Sequence, residues 1–236
     1  MKMVFVADTS LQKYFKEYVR ENNKENLKES NKEEADILLF DYTALQEVNY
    51  RSELNGEMHK LEELAIYSKR YATVIVAGCY TNSHGLLRKS TVVADNGKIL
   101  GVADMIYTQE ESDYCGGAHM KVYDTHAGKI GILVAEDIFY PHLAQTLSLC
   151  DADYIVCIFE EIVDNLPTLM LRASAFTSGV NIVMRAAGVV QIAAPNGEII
   201  YRTSKKLDSF NLDIRREYQL LTTRGRGYVQ RNVKDY

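Results

Sequence analysis

Short apolar runs rich in Val, Ile, Leu and Phe recur along the chain: MVFVAD, ADILLFDY, TVIVAGCY, KIGILVA and DYIVCIF. Continuous apolar runs of this length read as strands buried on both faces, so the chain must build sheets covered from both sides. Charged or amphipathic segments separate the runs. Ser10 to Glu34 reads as a solvated helix, and Leu61 to Tyr71 spaces its apolar residues for one helix face. Further helices are expected from about Tyr140 to Cys150 and from about Pro167 to Gly179. Hairpins interrupt this alternation. STVVAD and KILGVADMIY are joined at Asn96-Gly97, the strongest short hairpin signal, and Lys121 to Ala135 holds another strand and tight turn. The last strands, NIVMRAA and VVQIAAPNGEIIYRTS, repeat the Asn-Gly pair at Asn196-Gly197. The mixture argues for a mixed-sheet sandwich flanked by helices rather than a purely parallel sheet.

A chain of 236 residues, 47% hydrophobic and 25% charged, can bury a large core within one domain, and residues 1–236 are read as one. Only three prolines, no Ser/Gly-rich stretch and no repeat mark a linker. The net charge of -5 comes from interspersed residues of both signs, so no basic stripe suggests nucleic acid. The opening MKMVFVADTS is too short for a signal-peptide core or a membrane span, and the expectation is a cytoplasmic protein with no membrane partner. Cys79, Cys115, Cys150 and Cys157 form no C-x-x-C pair, and the histidines 59, 84, 119, 126 and 142 show no metal-ligand spacing. Gly116-Gly117 is too short to cradle a phosphate, and TTRGRGY follows no strand of a dinucleotide site. No cofactor or metal is expected, and Arg224 and Arg226 read as tail charges.

Several segments, in order, resemble landmarks of the nitrilase, or carbon-nitrogen hydrolase, superfamily. ADILLFDY resembles its first catalytic strand, and VVADNGKILGVADMI the hairpin leading to its lysine. HMKVYDTHAGKIGILVAEDIFYPHLAQTL resembles the strand, nucleophile elbow and helix, RASAFTSGVNIVMRAAG the next helix and strand, and VVQIAAPNGEII the hairpin after them. The final RNVKDY resembles the closing tail. The resemblance covers nearly the whole chain and implies a four-layer α-β-β-α sandwich that is homodimeric.

That family attacks an amide or nitrile carbon with a cysteine thiolate, using a glutamate as base and a lysine to hold the oxyanion. Carried onto this chain, the glutamate position falls on Tyr42 and the lysine position on Met105, with Asp104 selected if the register shifts by one. The cysteine position falls on Ala135, four residues after Gly131 and two before Asp137. Asp41, Asp104 and Glu136 each adjoin one of these positions, but successive residues of a strand point to opposite faces. Alanine cannot attack and methionine cannot stabilise an oxyanion. Asp137 keeps the family's acid after the elbow, and Arg185 stands where the family has an asparagine near the pocket.

The resulting expectation is a binding or regulatory pseudoenzyme that holds a small amide- or amine-like ligand in a pocket narrowed by Tyr42 and Met105. The competing expectation is an amidase with relocated residues, Cys115 in the loop ESDYCGGAHM acting as nucleophile with His119 as base. Cys79 reads as a core residue, and His142, on the helix after the elbow, as a surface or interface residue.

Overall fold

A computed structural model of the chain describes residues 1–17, 35–109 and 112–214. The segment expected to be helical from Ser10 is helical at 11–17, and its remainder lies outside the described residues, as do Arg224, Arg226 and RNVKDY.

Two sheets carry the fold. The first has the order β13-β1-β2-β4-β5-β6, with β3 also paired to β4; the second has the order β12-β11-β10-β9-β8-β7. In the first, β1 (Lys2–Val6), β2 (Ile37–Phe40), β3 (Glu47–Asn49), β4 (Val74–Ser83), β5 (Leu86–Asp95) and β6 (Lys98–Asp104) precede the late strand β13 (Leu207–Asn211). The second contains β7 (Val122–Thr125), β8 (Gly128–Val134), β9 (Tyr154–Glu161), β10 (Asn181–Ala187), β11 (Val189–Ala193) and β12 (Ile199–Thr203). Central strands run parallel, β1 with β2 and β2 with β4 in one sheet, β8 with β9 and β9 with β10 in the other. Hairpins complete each sheet antiparallel.

The burial pattern follows this order. All four residues of β2 and the first six of β9 are buried, as a strand covered on both faces requires. One apolar cluster, including Phe5, Leu39, Val76, Ile130, Val156 and Val183, fills the space between the sheets. A second lies between the other sheet face and the helices Pro141–Leu149 and Leu166–Ser178, and a third beneath the helix Lys60–Arg70 and the 11–17 segment. The layers are therefore helix, sheet, sheet, helix. At the β5–β6 turn Asn96 and Gly97 both adopt positive φ, 49° and 82°, the backbone that a two-residue hairpin turn needs.

Polar ties close the sandwich at both ends. At one end the backbone N–H and Nδ1 of His126, in the β7–β8 turn, meet the Asp95 carboxylate at 2.9 and 2.7 Å. At the other, Arg185 of β10 reaches across to Asp41 just beyond β2, Nη2 to Oδ2 at 3.0 Å, with both side chains almost fully buried. Its remaining donors go to the carbonyls of Val6, Ala186 and Val189, while Thr43 donates to the other Asp41 oxygen. Burial pulls the guanidinium pKa down and Asp41 pulls it back up.

Removing one partner of such a pair strands the other charge in the interior, at a cost of about 3–5 kcal/mol. Asp41→Ala should therefore lower unfolding stability by roughly that amount in urea denaturation, while the double change Asp41→Leu, Arg185→Met should lose much less.

Candidate functional site

The chain leaves β8 at Val134 and turns at once into a short 3-10 segment, Ala135–Phe139. Ala135 sits in the left-handed region with φ 47° and is 1% exposed. A non-glycine residue held there costs of order 1 kcal/mol or more, so the surrounding structure must impose it. Asp137 is part of that support. Its carboxylate accepts the backbone N–H of Ile106 at 3.0 Å and of Tyr107 at 3.1 Å, tying the elbow to the segment that follows β6. Burial raises the Asp137 pKa to about 6, against the pull of those backbone donors.

Tyr42 and Met105 belong to the same inter-sheet cluster as Ala135, exposed by only 6% and 3%. The Tyr42 ring lies over Gly78, where an added Cβ would stand 3.1 Å from the ring and 2.8 Å from the Ile158 side chain. Glycine at position 78 is what leaves room for a tyrosine at position 42. Met105 continues the β5–β6 ladder, its N–H donating to the Lys89 carbonyl at 2.9 Å.

Beside this apolar floor stands a charged cluster. The β4–β5 register sets Tyr80 opposite Lys89, while the 3-10 turn after β8 brings Glu136 and β9 brings Glu160 from the side of the other sheet. The Lys89 ammonium donates to Glu136 Oε1 at 2.8 Å and to Glu160 Oε2 at 2.5 Å, and the Tyr80 hydroxyl donates to Glu160 Oε1 at 2.6 Å. Burial works against the ammonium, but the two glutamates outweigh it and hold its pKa above the usual value. Three rings stack outward from the core: Tyr42 on Tyr80 at 4.9 Å between centroids, then Tyr80 on Tyr114 at 5.8 Å. Lys89 Nζ lies 5.4 Å from the Tyr114 ring centroid.

Other residues singled out in the sequence sit apart. Asp41 and Arg185 are consumed by their mutual ion pair. Asp104 accepts from Ser90 Oγ at 2.6 Å and lies 3.8 Å from Arg88 Nε, within a polar group that includes Thr81. Cys115 is half-buried, its N–H donating to the Leu87 carbonyl at 2.7 Å, and no hydrogen bond joins it to His119 among the described residues. The Cys157 thiol, fully buried on β9, faces the Ala135 carbonyl at 3.8 Å, and burial pushes its pKa well up. Lys89, Glu160, Tyr80 and Tyr114 escaped sequence reasoning. Their only signal was polar residues at the inward positions of strands, at Lys89 in LLRKSTVVAD and Glu160 in YIVCIFEE. Among the described residues no cluster of His, Cys, Asp and Glu could hold a metal ion.

The carbon-nitrogen hydrolase family model matches residues 26–210, and the chain belongs to that family. Solved structures of the superfamily share its fold. A carbon-nitrogen hydrolase from Helicobacter pylori G27 superposes with a TM-score of 0.67 at 17% identity, over 89% of this chain and 87% of the other. An amidase from Nesterenkonia sp. gives 0.66 at 13% identity, over 89% and 88%. Saccharomyces cerevisiae Nit3, a member of branch 10 of the nitrilase superfamily, gives 0.67 at 12% identity, again over 89% and 88%. No curated protein sequence matches the chain.

Asp137 gives the site a measurable pH signature. Its native pKa lies above the unfolded value of 3.8, so its contribution to stability is fully present below that value and is lost as pH rises through about 6. The stability difference between the protein and its Asp137→Asn variant should therefore shrink, on the order of 2 kcal/mol, from pH 4 to pH 7 in guanidinium denaturation.

Proposed function

We propose that this carbon-nitrogen hydrolase family member has lost the Glu-Lys-Cys amidase chemistry and acts as a binding or regulatory pseudoenzyme. The observation that carries this reading is the elbow residue itself. Ala135 is buried at the turn after β8, with Tyr42 and Met105 packed in the same apolar cluster. A methyl group offers no nucleophile, and neither a phenol whose pKa burial drives well above 10 nor a thioether replaces the base or the cation. Lys89 supplies a cation nearby, but two glutamates already hold its ammonium. Cys115, the alternative nucleophile, has no hydrogen-bonded base among the described residues.

A binding role is consistent with the Nesterenkonia amidase, of which a cysteine-to-alanine mutant was solved in complex with butyramide. An alanine-substituted member of the superfamily can therefore still hold a small amide. The proposed setting is a cytoplasmic homodimer paired through the helix Pro141–Leu149; the tail expected to join it lies outside the described residues. Leu149, Tyr140 and Tyr107 are exposed on or beside that helix, and no helix among the described residues is long and apolar enough to cross a membrane. Tyr107 and Tyr140 stack on one another at 4.2 Å between centroids, and exposed apolar groups that gather in this way mark interfaces. Light scattering at high micromolar concentration should give twice the monomer mass.

Ammonia release from a panel of short amides and nitriles tests the lost chemistry. Neither the protein nor its Ala135→Cys variant should exceed background. A nucleophile without its base and cation recovers little, because such groups act as a unit, and the set is worth on the order of a millionfold in rate. Turnover by Ala135→Cys would mean that Lys89 and a glutamate already serve as cation and base. Electrophilic labelling of Cys115 accompanied by loss of a measurable turnover would favour the relocated amidase instead.

A further inference from the structure

Three Asn-Gly pairs occur in the chain, at 55–56, 96–97 and 196–197. An asparagine followed by glycine is the dipeptide most open to spontaneous deamidation, because the glycine nitrogen has no side chain beside it to hinder attack on the asparagine Cγ. All three asparagines are exposed, so sequence and solvent access do not distinguish them. Their surroundings do. Ring closure needs two freedoms. The glycine N–H must leave its hydrogen bond and give up its proton, and the asparagine ψ and side chain must rotate until that nitrogen meets Cγ.

At Asn196-Gly197 both freedoms are taken. The Asn196 amide donates through Nδ2 to Glu198 Oε2 at 2.9 Å and accepts the Glu198 N–H through Oδ1 at 3.0 Å, while the buried Gly197 donates to the Ala194 carbonyl at 2.8 Å. At Asn96-Gly97 the paired residues Asp95 and Lys98 clamp the turn, both turn residues keep positive φ, and Ser68 Oγ holds the Gly97 N–H at 3.0 Å. A Cβ added to Gly97 would stand 3.0 Å from the Lys69 side chain, so the helix Lys60–Arg70 covers this turn closely. Asn55-Gly56 is held less. It follows the helix Tyr50–Leu54 and belongs to no strand pair. The Asn55 side chain makes no hydrogen bond among the described residues, and the Gly56 N–H reaches only the Glu53 carbonyl, at 3.2 Å the longest of the three glycine bonds. A Cβ added to Gly56 would meet only the His59 ring, at 3.9 Å, so the peptide there has room to turn.

We propose that Asn55 is a modification site of this protein, converting spontaneously to aspartate and isoaspartate while the folded structure protects Asn96 and Asn196. Hydroxide from solvent removes the Gly56 amide proton, and the nitrogen attacks Asn55 Cγ. The N–Cγ bond forms as the Cγ–Nδ2 bond breaks, and Nδ2 leaves as ammonia with a proton from water. Water then opens the cyclic imide: cleavage at Cγ gives aspartate, and cleavage at the backbone carbonyl gives isoaspartate, whose chain runs through Cγ. The conversion consumes water and releases ammonia, with no change of oxidation state. Either product places a new carboxylate two residues from both Glu53 and Glu57. Glu53 Oε1 receives the N–H groups of Lys60 and Leu61, at 2.8 and 3.4 Å, where the helix Lys60–Arg70 begins. Isoaspartate also lengthens the backbone link between Glu53 and that helix, so the modification bears on how the helix is seated.

The test is to hold the folded protein in mildly alkaline buffer, sample it over time, digest it under acidic conditions that halt further conversion, and read the peptides by mass spectrometry. Replacement of the side-chain NH2 by OH raises the peptide mass, and isoaspartate separates from aspartate on elution. The Asn55 peptide should convert at least about fivefold faster than the Asn96 and Asn196 peptides, the factor that one further hydrogen bond is worth. In concentrated urea, where no turn is held, the three rates should converge. Ser68→Ala, which frees the Gly97 N–H, should raise the Asn96 rate about fivefold and leave the Asn55 rate unchanged. Conversion of Asn96 or Asn196 as fast as Asn55 in the folded protein, or no conversion at Asn55 while the urea sample converts, would overturn the proposal.

Discussion

The space between the two sheets is apolar, and each charge that enters it must bring its own partner, because an uncompensated charge there costs several kcal/mol. The polar architecture follows from this rule. Arg185 crosses from β10 only because Asp41 and three backbone carbonyls receive it. Lys89 projects inward from β5 only because Glu136, in the turn after β8, and Glu160, near the end of β9, receive it. The two ion clusters thus pin the sheets in one relative register, which apolar contacts alone, being non-directional, would leave less sharply defined.

Much of this fold was legible from residue pattern alone. The fully buried runs of β2 and β9, the paired Asn96–Gly97 turn and the alternation of helix and strand each have a local cause that a sequence displays. β3 and β13 were not legible. Glu47–Asn49 has only one buried residue, and Leu207–Asn211 lies at a sheet edge with every residue at least partly exposed, so neither carries the apolar signal on which strand reading depends. Their pairing is dictated by neighbouring strands rather than by their own composition.

The site was legible in a different proportion. Tyr42, Met105 and Ala135, singled out by resemblance of local stretches, do meet in one buried cluster between the sheets. The charged cluster could not be read in this way. Lys89 and Glu160 lie 71 positions apart and meet only after a hairpin of one sheet is laid over the strand ends of the other. Whether Lys89 faces the core or solvent depends on the β4–β5 register, where a slip of one residue would turn the side chain to the opposite face. The treatment of Asp41, Asp104 and Glu136 as equivalent neighbours of the elbow positions also missed their separate fates: one neutralises Arg185, one accepts from Ser90 and one holds Lys89.

The persistence of a strained alanine shows what the scaffold demands independently of chemistry. Nothing about a methyl side chain favours φ 47°, yet Ala135 keeps it. The cause lies on either side of the residue. β8 is locked in parallel register to β9 up to Val134, and Asp137 is held by the backbone of Ile106 and Tyr107. With both flanks fixed, the single intervening turn has only one way to close. The same two anchors therefore form a structural joint, because releasing either would leave backbone donors without partners. The joint in turn carries Glu136 beyond β8 to where it meets Lys89, beside Glu160 and the tyrosine stack.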